Sequence, residues 1–294
     1  MPIERIAILG TGLIGASVGL ALRAHGYAGT ITGWDPTPSE LAVAQSTGAI
    51  HAIASDPLQA ARASQLILLG GPVFTMLEWL DRLAPLLEPG QLVTDVGSVK
   101  GALCEHARAR YNLVHTAGFL AGHPMAGKEV SGAANADGDL FNGAAWLFTE
   151  TPDSLSMHPV SRAIADEWRS WPQKFGCRVL DLDPSRHDLL CAWVSHLPQY
   201  LSTALSALLE DQFPEKDEVL AIGGRALREM TRLGASPYSM WRDVAHTNTE
   251  AVAASLLALE QRLIHLRENL RTPGLREEFE KANHFRSAMT PPKK

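Results

Sequence analysis

A histidine set among glycines, in Gly122-His123-Pro124-Met125-Ala126-Gly127-Lys128-Glu129-Val130-Ser131-Gly132, is the part of this chain best suited to proton chemistry. Neutral imidazole, with a reference pKa of about 6.5, can accept a proton near neutral pH. A lone histidine is more often structural than chemical, so its weight depends on what the fold brings beside it. Upstream, Leu92-Val93-Thr94-Asp95-Val96-Gly97-Ser98-Val99-Lys100-Gly101 is an apolar run that breaks into a glycine turn. That pattern puts Asp95, Ser98 and Lys100 at the end of a strand. Ser98 is expected within hydrogen-bond reach of His123, to orient the ring or hold a substrate hydroxyl.

A second constellation is Gly10-Thr11-Gly12-Leu13-Ile14-Gly15, which follows an apolar strand and opens a helix. In a dinucleotide-binding turn Gly10 permits the tight bend, Gly12 lets pyrophosphate approach the backbone and Gly15 lets helix and strand pack closely. The backbone of Leu13 and Ile14 begins the helix, whose N-terminus attracts the anion. Asp35, at the end of the next strand, is placed to accept hydrogen bonds from ribose hydroxyls, and Pro36-Thr37-Pro38 supplies no cation for a 2′-phosphate. NAD is therefore the expected cofactor, the competing reading of Asp35 being a turn cap before Pro36. Pro72, after Leu66-Ile67-Leu68-Leu69-Gly70-Gly71, is placed with the cofactor residues.

These residues need a scaffold, and the apolar runs supply it. Ile6 to Leu9, Thr30 to Trp34, Leu66 to Leu69, Leu92 to Asp95, Thr116 to Ala121 and Ala145 to Phe148 alternate with helix-like segments. This rhythm predicts an α/β domain with a doubly wound, mostly parallel Rossmann-type sheet. A helix from about His158 to Lys174 and the run Cys177 to Leu182 complete it, giving a dinucleotide-binding domain over 1–183. Beyond Asp183-Pro184-Ser185 the strand pattern stops. Residues 184–294 read as an all-helical substrate-binding and dimerisation domain, starting with one long apolar stretch from Arg186 to Leu209. Val252, Leu256, Leu259 and Leu263 exceed what a small domain buries against itself and are expected in a homodimer, a self-contained bundle being the alternative. The tail Thr290-Pro291-Pro292-Lys293-Lys294 is expected to fray.

Bulk properties narrow the partners. The net charge of −6 gives no general attraction to nucleic acid or anionic lipid, so an anionic substrate must be met by local cations. Cys104, Cys177 and Cys191 lack CxxC spacing, so neither a metal site nor a disulfide is expected, and they read as packing residues. The strand-like start at Ile3 leaves no room for an export signal, and no apolar run approaches the ~20 residues of a membrane span. A cytoplasmic protein with no membrane partner is expected.

The ordered set GLIG, DVGSVKG and GHPMAGKEVSG, then Val194-Ser195-His196-Leu197-Pro198 and Met230-Thr231-Arg232-Leu233-Gly234-Ala235-Ser236-Pro237 with Met240-Trp241-Arg242-Asp243, resembles the prephenate and arogenate dehydrogenases. The resemblance extends through nearly the whole chain. It implies NAD-dependent oxidative decarboxylation of prephenate to 4-hydroxyphenylpyruvate in tyrosine biosynthesis, the alternative being arogenate, which gives tyrosine directly. It further implies that His123 is the catalytic base, Ser98 its partner, and His196 and Arg232 substrate-binding groups.

Read on residues alone, the second-half positions are less decisive. Pro198 kinks a helix beside His196, which suits either a cleft residue or a core histidine. Arg225, Arg228 and Arg232 share one helical face, usually a solvated stripe; because the resemblance implies a dianionic substrate, Arg232 alone is carried forward as a carboxylate clamp. Trp241 suits a buried core position or a wall of the site. By the resemblance, Lys128 stands where relatives often carry a small hydroxyl residue, so it is assigned with Glu129 to substrate selection, Glu129 having an amine, Lys128 or Arg232 as possible partners. A 3-hydroxyacid dehydrogenase or imine reductase is disfavoured, because enzymes of the hydroxyacid group resemble one another in placing a catalytic lysine on the long helix after the junction and Arg186 to Leu209 contains no lysine. A dinucleotide-sensing module without catalysis leaves Ser98, His123, His196 and Arg232 unexplained.

Overall fold

The structure is a computed structural model in which residues 2–152 and 156–289 are described; the tail expected to fray lies outside them. Eight strands, β1 (Arg5–Leu9), β2 (Thr30–Trp34), β3 (Ala52–Ile53), β4 (Leu66–Leu69), β5 (Leu92–Asp95), β6 (Gly118–Pro124), β7 (Ala145–Thr149) and β8 (Arg178–Asp181), form one sheet in the order β3-β2-β1-β4-β5-β6-β7-β8. Between them run helices α1 (Leu13–Ala24), α2 (Pro38–Ser46), α3 (Pro57–Arg62), α4 (Val73–Leu83), α5 (Gly101–Arg108) and α6 (Pro159–Lys174). Every neighbouring pair is parallel except β6 with β7. Ile6 to Leu9 and Leu66 to Leu69 have no solvent exposure, as expected of central strands covered on both faces, which is why they read as unbroken apolar runs. The order reverses direction between β1 and β4. That crevice at the strands' carboxyl ends is where open α/β sheets bind ligands.

Gly10, at φ +103°, lines the crevice, and a Cβ there would lie 2.0 Å from the Gly70 carbonyl oxygen. The turns after β1 and β4 thus touch backbone to backbone. At the other side of the crevice β6 starts later and runs further than the expected Thr116 to Ala121. Its antiparallel pairing carries it to Pro124, with His123 opposite Leu147, so the glycine-flanked His123 stands on the strand itself.

The second half is helical: α7 (Pro184–Cys191), α8 (Leu197–Gln212), α9 (Asp217–Ile222), α10 (Arg225–Thr231), α11 (Tyr238–Thr247), α12 (Thr249–Glu268) and α13 (Pro273–Met289). The stretch expected as one helix is divided by a π-helical turn, Ala192–His196, immediately before Pro198 in the first turn of α8. Proline has no N–H to offer a carbonyl four residues back, and the wider turn accommodates that loss.

The chain divides into two compact units, residues 1–249 and 250–294. In the first, the early helices of the second half are pinned to the sheet's carboxyl edge by hydrogen bonds. The Lys100 amide donates to Asp188 Oδ1 at 2.7 Å and the Phe74 amide to Asp243 Oδ2 at 3.0 Å, while Asn248 Nδ2 ties the end of α11 to α7 by donating to the Asp188 carbonyl at 2.9 Å. The second unit holds the rest of α12 with α13, where Glu278 accepts from Arg262 at 2.7 Å and from Lys281 at 2.8 Å. It leaves Leu257, Leu263, Phe279 and Phe285 exposed. No helix among the described residues is long and apolar enough to cross a membrane.

Candidate active site

The ends of β5 and β6 are locked together beneath the site by a buried ion pair, Lys100 with Asp95. Asp95 also accepts from the amides of Gly97 at 2.8 Å and Gly122 at 3.1 Å, while Lys100 Nζ donates to the Gly122 carbonyl at 2.8 Å. Lys100 and Asp95 are completely covered, and these bonds hold the two strand ends together. A Cβ on Gly122 would sit 2.8 Å from the Asp95 carbonyl oxygen, which explains the glycine before His123.

His123 is buried and its Nδ1 lies 2.9 Å from Nε2 of His187, on α7. His187 Nδ1 lies 2.8 Å from Asp188 Oδ1. Asp188 further accepts from the amides of Lys100 at 2.7 Å and Gly101 at 2.8 Å, anchoring α7 to the start of α5. A carboxylate ringed by donors can only accept, so the proton positions along this chain follow. His187 carries its proton on Nδ1, its Nε2 accepts from His123 Nδ1–H, and His123 Nε2 is left with a free lone pair. Burial, then His187, Lys100 and His196 nearby, hold the pKa of His123 well below the usual imidazole value. The ring is neutral and able to accept a proton.

The expected Ser98–His123 side-chain hydrogen bond is absent among the described residues, the ring's partner being His187. The backbone of Ser98 instead lies against His196 and favours its protonated form. His196 ends the π-helical turn, is completely covered, and has Nδ1 3.4 Å from Asn248 Nδ2. Burial brings its pKa down to about 4, against the opposing pull of Asp188. Trp241 packs edge-on against His196, with ring centres 5.9 Å apart, and its indole N–H is buried without a partner.

Of the three arginines on α10 and just after it, Arg225 pairs with Glu229 at 2.6 Å and Arg228 donates to the Gly223 carbonyl at 3.4 Å. Arg232 instead pairs with Glu129 and keeps 57 % of its side chain exposed, joining the loop after β6 to the turn after α10. Among the partners open to Glu129, the fold selects this one. Lys128 turns aside to the Asn135 carbonyl at 2.9 Å and to Asp137 at 3.3 Å, bracing its own loop.

At the nucleotide end, a Cβ on Gly15 would lie 2.0 Å from the Gly10 carbonyl oxygen, whereas nothing lies within 4 Å of one on Gly12. The first position is packed shut and the second opens onto free space over the start of α1, where no side chain caps the helix. This is a cradle for a pyrophosphate. Asp35 accepts from the amides of Thr11 at 2.9 Å and Thr37 at 3.0 Å, so it caps the turn and is held at the crevice rim. Pro72 precedes α4 across the crevice.

Sequence profiles describing the prephenate dehydrogenase nucleotide-binding and dimerization domains match residues 18–165 and 183–286. The chain belongs to the prephenate dehydrogenase family. A prephenate dehydrogenase of Lactococcus lactis is 29 % identical over 97 % of this chain and 77 % of its own length. A cyclohexadienyl dehydrogenase of Zymomonas mobilis is 27 % identical over 85 % of this chain and 82 % of its own. The crystal structure of the A. aeolicus prephenate dehydrogenase in complex with hydroxyphenyl propionate and NAD+ is 26 % identical, covers 98 % of this chain and 96 % of that one, and superposes with a TM-score of 0.80.

Two residues of this family member that are linked to His123, one directly and one through the other, carried no signal in its sequence. His187 and Asp188 are consecutive on a helix, where a polar pair reads as a solvated face. Their meaning comes from packing against a strand 64 positions away. Only the buried face of α7, which the sequence pattern did not resolve within its longer apolar stretch, would have flagged them.

Proposed function

We propose that this chain catalyses NAD-dependent oxidative decarboxylation of prephenate to 4-hydroxyphenylpyruvate, with His123 Nε2 accepting the proton of the ring hydroxyl. The observation that carries this reading is the Asp188–His187–His123 chain, which leaves a lone pair on His123 at the sheet's carboxyl edge. NAD, when bound, supplies the hydride acceptor. Gly10, Gly12, Gly15 and the α1 start hold its pyrophosphate, Leu13 and Ile14 giving backbone amides, with Asp35 and Pro72 at the rim. Ser98 and His196 border the ring hydroxyl, and Arg232 clamps a carboxylate with its planar fork. Glu129 and Lys128 tune the choice between a keto acid and an amino acid. Loss of carbon dioxide aromatises the ring and is strongly downhill, so alignment, a proton acceptor and a carboxylate clamp suffice.

Residues 1–183 serve the cofactor and residues 184–294 the substrate and a homodimer, which covers the exposed leucines and phenylalanines of the last two helices; the protein works in the cytoplasm. Absorbance of reduced cofactor, followed with prephenate and with arogenate, each with NAD and NADP, tests the assignment. Turnover with prephenate and NAD is expected. Turnover confined to arogenate would move the substrate, and none with either would overturn the reading. His123→Asn is expected to lower kcat by about 10²- to 10⁴-fold with a modest change in KM.

A further inference from the structure

Cys191 has a place in the fold that packing alone does not explain. Its Sγ lies 3.6 Å from His187 Nε2 and 3.9 Å from His123 Nδ1, and those two nitrogens are 2.9 Å apart. We propose that His123 Nδ1, His187 Nε2 and Cys191 Sγ form a binding site for a thiophilic divalent cation, zinc above all, whose occupation removes the proton acceptor of the reaction.

The ligand set is one that zinc takes, and its spacing is within about 0.4 Å of a zinc site. With Zn–N near 2.0–2.1 Å and Zn–S near 2.3 Å, tetrahedral geometry puts the two nitrogens about 3.3 Å apart and each about 3.6 Å from the sulfur. The two rings have to separate by about 0.4 Å to reach this. His187 and Cys191 stand four residues apart on α7, one helical turn, so a single face presents both. β6 brings the third ligand. His187 also donates its other ring N–H to Asp188, the carboxylate–histidine arrangement that orients a metal-bound imidazole. All three ligand residues are buried, with 6 % of His123 left as the way in. Three protein ligands leave one position of a tetrahedral ion for solvent.

Occupation changes proton positions in a defined way. The Cys191 thiol loses its proton to solvent as the Zn–S bond forms. His187 Nε2 offers a lone pair that already exists. His123 must release Nδ1, and its ring proton then resides on Nε2. The nitrogen that accepted now donates, so chemistry stops while the substrate and cofactor surfaces are untouched. This consequence for turnover rests on the proton-acceptor role proposed above; the site itself does not.

The test reads binding and turnover separately on the full-length protein. Co²⁺ titrated into metal-free protein is expected to give tetrahedral d–d absorption and a thiolate charge-transfer band saturating at one equivalent per chain. Both are lost in Cys191→Ala and retained in Cys104→Ala and Cys177→Ala. Zn²⁺ is expected to lower kcat reversibly, with recovery on adding EDTA, and Mg²⁺ at the same concentration to do nothing, being a hard ion without oxygen ligands here. Cys191→Ala should turn over normally without zinc and need at least tenfold more zinc for half-inhibition, with Cys191→Ser as the second variant if alanine unfolds the chain. A missing thiolate band at one equivalent, a band that survives in Cys191→Ala, or unchanged zinc sensitivity in that variant overturns the site. A Co²⁺ band in a chain that turns over neither ring substrate upholds the site and removes the dehydrogenase reading; turnover without a band does the reverse.

Discussion

His187 Nε2 sits 2.9 Å from Nδ1 of His123, and through that contact Asp188 determines which nitrogen of a second imidazole is free. Replacing His187 by asparagine removes the acceptor that holds His123 in this tautomer. Turnover should fall by roughly 10- to 10²-fold, less than for loss of the proposed base, with substrate KM changed little. Steady-state kinetics of His187→Asn beside His123→Asn check this; a His187 variant altered only in KM would assign that ring to binding.

Arg232 and Glu129 form an ion pair that is substantially exposed, so its own contribution to stability is small, about 0–1 kcal/mol. Its interest is competition, because under the proposed function a substrate carboxylate and Glu129 would seek the same guanidinium. Arg232→Ala should raise substrate KM by tenfold or more at nearly constant kcat, and Glu129→Gln should lower KM. Added salt should weaken substrate binding to both wild type and Glu129→Gln. Equal KM values across the three proteins would place the carboxylate elsewhere.

Lys100 and Asp95 are paired without solvent, and removal of one partner strands the other. Lys100→Met is expected to cost about 3–5 kcal/mol, read from urea midpoints, and Asp95→Asn in the same chain should recover part of it. A loss under 1 kcal/mol would mean that water reaches the pair.

His196 gives the fold a dependence on pH. Its pKa, about 4 in the folded chain, lies below the unfolded value of about 6.5, because burial outweighs the attraction of Asp188 and the opposing His187 adds to it. The unfolded chain therefore binds the proton first as pH falls. Stability is full above about pH 6.5 and declines until about pH 4, by about 3 kcal/mol for this ring, with His123 acting in the same direction. Urea unfolding at pH 7.5, 6 and 5 should show the decline and His196→Gln a shallower one. Carboxylates titrate little over that range, so parallel profiles would acquit His196.

What could be read in the chain before its structure follows from how each signal is encoded. The central strands were legible because burial on both faces makes them continuous apolar runs, and the turn at Gly10 to Gly15 because a pyrophosphate cradle demands glycine at fixed spacing. β3 was not, since Ala52 and Ile53 alone carry no pattern. Ser98 illustrates the opposite limit. Its position on the sheet edge was predictable, yet whether its side chain or backbone meets a histidine depends on side-chain packing across three elements. Cys191 was read as packing for want of CxxC spacing; its approach to His187 and to His123, 68 positions away, joins one helical turn to a distant strand and leaves no such spacing to read.

The π-helical turn at Ala192–His196 amounts to one residue inserted into a helix, and an α-helix advances about 100° per residue. Everything after it is rotated by that angle relative to α7. A one-residue deletion within the turn would yield a more regular helix in which His187 kept its bearing while His196 swung away from Ser98. The irregular turn acts as a phase shifter between two histidines, so the two can be aimed independently although one continuous helical rod carries both.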